Sequence, residues 1–151
     1  MRKLTLALTA AASAAVLGTV VPVTTAAADT TASATEVRDV AAADLNCSET
    51  VAKYHDTGTV NVYNAGDCGG AAMCKDVDND KDYSRDGDCT GSDNDRTSSA
   101  VNLGWSGTND DVRFYFNAGY NGYVGCLGRG KFWSSMGTYD DRVSSHKWAN
   151  C

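Results

Sequence analysis

From Val60 onward the chain alternates apolar and polar positions at a period of two. Val60 and Val62 are interleaved with Asn61 and Tyr63, and Val112, Phe114 and Phe116 with Arg113 and Tyr115. That period predicts half-buried β-strands. No long segment carries a helical period. The single proline is Pro22, so glycine punctuates the rest: Gly66, Gly69, Gly70, Gly104, Gly119, Gly122 and Gly125 mark turns. Short strands between turn residues predict an all-β domain.

The pattern repeats. Val60–Gly66 answers to Val112–Gly119, and Ser98–Asn102 answers to Ser144–Trp148. Tyr63 and Tyr115 each stand seven residues before a glycine, Gly70 and Gly122, and Cys74 and Cys126 keep the same offset. In that interval the glycine is expected to take a backbone angle other residues resist, with the ring covering the turn. Repeat one spans about 58–103 and repeat two about 111–150. Each should supply about four short strands, a Greek key, and two such units sharing a core make a β-sandwich. The first copy's third strand is hard to find, because its extra length falls in the acidic stretch Lys75–Ser92. That stretch is expected to be a solvated loop tied by Cys74 or Cys89. It is not an EF-hand: Lys81 stands where the loop needs glycine, and Gly87 where a bidentate Glu belongs.

Residues 1–28 read as a signal peptide. Arg2 and Lys3 precede an apolar Leu4–Val21 run, and Ala26-Ala27-Ala28 offers a cleavage site. No second apolar stretch could span a bilayer. Residues 29–46, without aromatics, read as a flexible acidic leader, and 47–151 as the folded domain. Removing Arg2 and Lys3 leaves 11 basic residues against 19 acidic ones, a net charge of −8. That balance disfavours nucleic acid and anionic membranes as partners. All six cysteines, Cys47, Cys68, Cys74, Cys89, Cys126 and Cys151, lie in the expected mature part. An even count in an exported chain reads as a disulfide framework, although sequence does not choose among the pairings.

The candidate chemistry sits in two hexapeptides about 46 residues apart, Asn94-Asp95-Arg96-Thr97-Ser98-Ser99 and Asp140-Asp141-Arg142-Val143-Ser144-Ser145. Carboxylates, hydroxyls and backbone carbonyls are hard donors and suit Ca²⁺. The same residue types also make ordinary turns, so recurrence in register is what raises them to a candidate site. No nucleophile elbow or paired-carboxylate cleft is visible, and no enzymatic activity is expected. His146 reads as a surface or half-buried strand residue.

At these residues the chain resembles the βγ-crystallin superfamily. The aromatic-to-glycine intervals are similar to its Greek-key signature and the hexapeptides to its calcium motif. Val112–Trp148 is especially similar to the actinobacterial metalloproteinase-inhibitor family on that fold. The resemblance implies two calcium sites, each built jointly by both motifs. Ser98 and Ser144 would give hydroxyls, Arg96 and Arg142 backbone carbonyls, and Asp95 and Asp141 carboxylates across the pair. Asn94 and Asp140 would brace the loops through nearby backbone, and Ser99 and Ser145 would pack or bond locally. It also implies inhibition of a secreted metallopeptidase; the mature protein is expected to be exported and monomeric. The rival readings are a calcium-stabilised structural or envelope protein and a killer-toxin-like antimicrobial protein.

Overall fold

The computed structural model describes residues 45–151. The expected signal peptide and most of the expected leader lie outside the described residues. The last two leader residues do not: Leu45 is buried, and Asn46 caps a helix. That helix, α1 (Cys47–Tyr54), is too short to announce itself by periodicity. A capping box starts it: the Asn46 side chain accepts the Glu49 N–H at 2.9 Å, and the Glu49 carboxylate accepts the Asn46 N–H at 3.0 Å.

Seven strands follow: β1 (Thr59–Tyr63), β2 (Cys74–Asp76), β3 (Ser99–Leu103), β4 (Asp111–Asn117), β5 (Asn121–Leu127), β6 (Phe132–Trp133) and β7 (Ser145–Ala149). They form two antiparallel sheets, ordered β2-β1-β3-β6 and β5-β4-β7. The sheets exchange a strand. β6 belongs to the second repeat by sequence, yet it pairs with β3 of the first, Trp133 opposite Ala100 and Phe132 opposite Val101. The reciprocal crossing from the first repeat shrinks to one residue: Asp80 bridges His146 of β7, with N–H···O bonds of 3.1 and 2.9 Å. This is the third strand that the sequence hides.

Between the sheets, Val60, Val62, Ala100, Val112, Phe114, Leu127, Met136 and Val143 form the main core. Burying such side chains stabilises by about 1.5–3 kcal/mol each before conformational entropy is charged against it. Tyr63, Val101 and Leu103 face the other way. They pack under α1 with Val51 and Tyr54, beside the Cys47–Cys68 disulfide. β1 is therefore covered on both faces, and Asn61 and Tyr63, expected half-exposed, are buried. The other disulfides are Cys74–Cys89, which closes the acidic loop, and Cys126–Cys151, which ties the C-terminus to β5. Among the described residues no helix is long and apolar enough to cross a membrane.

Four further expectations change. The ring against Gly122 is Phe116, not Tyr115; a Cβ on Gly122 would collide with it. A register shift between Phe114 and Tyr115 turns the strand, and Tyr115 instead meets Tyr120 and Tyr123. In the first repeat nothing lies within 4 Å of a Cβ position on Gly70, so Tyr63 does not cover that turn. The acidic loop is not wholly solvated, because Asp76 and Asp80 are buried, and His146 is fully buried.

Candidate metal centre

Each hexapeptide forms the loop that enters the last strand of its unit, β3 or β7. Its second residue turns left-handed: φ is 55° at Asp95 and 53° at Asp141, angles that Asp tolerates better than most residues. The turn aims each backbone N–H at the other loop. Asp95 N–H donates to the Val143 carbonyl at 3.1 Å, and Asp141 N–H donates to the Thr97 carbonyl at 3.2 Å. The two loops are thus hydrogen-bonded to each other as pseudo-symmetric partners.

The same crossing joins the side chains. Ser144 Oγ donates within reach of Asp95 Oδ1 at 2.9 Å and of the Phe116 carbonyl at 3.0 Å. On the other side Ser98 Oγ lies 3.5 Å from Asp141 Oδ1. Ser98 and Ser144 are buried at the loop floor, while Asp95 and Asp141 stand exposed above them. A carboxylate, a hydroxyl and a carbonyl converging at a solvent-open rim form a donor set that fits a hard cation. The Phe116 carbonyl is a candidate ligand that sequence reasoning missed. A backbone oxygen has no side-chain signature.

The two sides differ. Asn64 donates from its amide to the Arg96 carbonyl at 3.0 Å and accepts from the Arg96 guanidinium at 2.7 Å. One expected ligand carbonyl is therefore already hydrogen-bonded. At the equivalent place Phe116 stacks on Tyr139, ring centroids 6.2 Å apart, and carries the Arg142 guanidinium over its face at 5.6 Å. Asn94 does not brace backbone; its amide donates to Asp95 Oδ2 at 2.8 Å and steadies that carboxylate. Asp140 contributes its backbone N–H, to the Gly137 carbonyl at 3.2 Å.

Ser99 and Ser145 reach far along the chain rather than locally. Ser99 Oγ donates to the Ala65 carbonyl at 2.6 Å and accepts the Cys68 N–H at 2.9 Å. Ser145 Oγ donates to the Asn117 carbonyl at 2.7 Å and accepts the Tyr120 N–H at 3.3 Å. Each pins the first hairpin of its unit against its last strand, which positions the Phe116 end of β4 beside Ser144.

No protein-family model matches the chain, and no curated protein matches it. Among solved structures, a chain from work on the evolution of the eye-lens βγ-crystallin domain fold is similar at 23% identity and a TM-score of 0.47. The match covers 61% of this chain and 85% of that one. A βγ-crystallin from an archaeon is similar at 23% identity and a TM-score of 0.43, over 60% of this chain and 95% of that one. The fold class rests on the strand exchange and the paired loops described above. The described residues form an all-β sandwich of two Greek-key repeats with exchanged strands, with Cys47–Cys68 and Cys74–Cys89 on the first repeat's side and Cys126–Cys151 in the second.

Proposed function

We propose that this domain is an exported calcium-binding protein whose two hexapeptide loops hold Ca²⁺ jointly. The carrying observation is the convergence of Asp95 Oδ1, Ser144 Oγ and the Phe116 carbonyl from three separate segments. Asp95, Ser144 and Phe116 would hold one ion; Asp141 and Ser98 would serve the paired position, and the Arg96 and Arg142 carbonyls would complete the two sites. Bound Ca²⁺ supplies charge neutralisation between loops that only the folded chain brings together. Binding then adds directly to stability by linkage. Three disulfides suit the oxidising surroundings of an exported protein, where calcium is abundant.

Calorimetric titration of the chelator-stripped, oxidised chain tests this reading. Saturable Ca²⁺ binding, a melting temperature that rises with Ca²⁺, and a fall in both the Ca²⁺ stoichiometry and that rise in the Asp95→Ala/Asp141→Ala double variant are expected. A titration without heat and a melting curve indifferent to Ca²⁺ would reduce the loops to structural arches.

Inhibition of a secreted metallopeptidase is supported by the resemblance of Val112–Trp148 alone. A cross-linked sandwich has the rigidity an inhibitory loop needs. The assay is residual activity of thermolysin-type and other secreted peptidases against the folded, Ca²⁺-loaded protein. Undiminished activity across such a panel removes this function and leaves calcium binding standing.

A further inference from the structure

The two crossing segments fill equivalent places in opposite ways. In the second unit, β6 brings Trp133 opposite Ala100, and its indole packs 5.4 Å from the Phe114 ring. In the first unit, Asp80 stands opposite His146, the repeat partner of Ala100. A carboxylate therefore enters the interior where the other unit uses an indole.

That carboxylate is incompletely satisfied. Asp80 is fully buried; its Oδ1 accepts the Asp82 N–H at 2.9 Å, but its Oδ2 has no hydrogen-bond partner. Asp76, also buried, uses Oδ1 for the Asp78 N–H at 2.8 Å, and its Oδ2 has a long contact from the Asp88 N–H at 3.4 Å. Both Oδ2 atoms lie beside Gly87. The point where a Cβ on Gly87 would stand lies 2.5 Å from Asp80 Oδ2 and 3.0 Å from Asp76 Oδ2. Gly87, at φ +74°, carries no Cβ, which is what lets its backbone pack this close to both carboxylates.

No lysine or arginine ion pair reaches either carboxylate among the described residues. The nearest ionisable nitrogen is His146 Nε2, 4.0 Å from Asp76 Oδ2. It does not supply the charge. Tyr83 Oη lies 2.8 Å from Nδ1, and Nε2 lies 3.1 Å from the Asp78 carbonyl. One neutral tautomer satisfies both contacts, with the phenol donating to Nδ1 and Nε2–H donating to the carbonyl. Cys89 Sγ is close as well, but it is bound to Cys74 and is no thiolate. Two buried carboxylates without a counter-charge are costly, and acids in that position ordinarily carry a proton or a cation.

We propose that Asp76 and Asp80 hold a separate divalent cation inside the acidic loop, with the Asp78 carbonyl as a further donor. The donors are all oxygen, so the site favours Ca²⁺; Zn²⁺ would draw on His146 Nε2 and break its bond to Asp78. This site does not depend on the hexapeptides.

The experiment is calorimetric Ca²⁺ titration of the chelator-stripped, oxidised chain carrying Asp95→Ala and Asp141→Ala. One equivalent of Ca²⁺ should still bind, and adding Asp80→Asn should abolish it. The same loss of one equivalent should appear when Asp80→Asn alone is compared with wild type, a comparison that serves if the double variant does not fold. In chelator, Asp80→Asn should melt no lower than wild type, because an amide replaces a buried charge without a change of shape. If Asp80→Asn leaves Ca²⁺ stoichiometry unchanged in both comparisons, the proposal is overturned. Uptake of Zn²⁺ in preference to Ca²⁺ at this site would overturn the all-oxygen assignment.

Discussion

Trp133 and Asp80 occupy matching places in the two Greek keys and treat the interior differently. Trp133 arrives on a strand with two paired residues and joins an aromatic contact with Phe114. Asp80 arrives on a single bridge, followed by Tyr83, whose ring lies edge-on to His146 at 5.6 Å. One unit closes its sheet by apolar burial. The other closes it with a hydrogen-bonded polar cluster inside a disulfide-bounded loop. The lesson is that a duplicated fold can keep its backbone plan while one copy exchanges packing energy for chemistry. Burial pays for itself through area, whereas the polar cluster must satisfy every donor and acceptor, and Asp80 Oδ2 is the atom it leaves over.

The largest test of this contrast removes the indole. Trp133→Ala should cost about 3 kcal/mol, read as a fall in the denaturant midpoint at unchanged slope. A cost below about 1 kcal/mol would mean that β6 is not what closes the first sheet.

A second test sharpens the comparison at the hexapeptides. Asp95 is braced by Asn94 and meets Ser144 at 2.9 Å, whereas Asp141 meets Ser98 only at 3.5 Å, and the Arg96 carbonyl is already held by Asn64. Asp95→Ala should therefore weaken the tighter Ca²⁺-binding step, by about tenfold or 1.4 kcal/mol, while Asp141→Ala mainly weakens the second step. Equal effects in calorimetry would show that the two sides act as one symmetric pair.

The smallest effect is a pH dependence, measured with chelator present. Burial holds His146 down to about 4 from an ordinary 6.5, so the unfolded chain takes up its proton first on acidification. Stability falls as pH drops through that window. Burial pushes Asp80 up to about 6 from 3.8, so here the folded chain takes up the proton first and stability rises as pH drops. The two effects oppose each other in wild type. Asp80→Asn removes the second, and the variant should lose stability more steeply than wild type between pH 6 and 4, by on the order of 1 kcal/mol. Parallel curves would show that Asp80 carries no unusual charge.

The sequence by itself determined the double repeat, the all-β class and the residues of the two facing loops. These are local matters: a period of two, glycine and Asx turns, and recurrence in register are written in adjacent side chains. The cysteine count announced disulfides, but only the folded chain could pair them, because pairing depends on which strands become neighbours. Tertiary structure also decided that α1 covers the outer face of β1 and that Phe116, after a register shift, takes the place beside Gly122 expected of Tyr115. It placed the Phe116 carbonyl at Ser144, a contribution no side chain advertises. It drew Asp80 and His146, each read as exposed or half-exposed, into the interior. Their burial follows from a strand crossing between sheets, and a crossing is set by pairing between residues 66 positions apart, which no local pattern encodes.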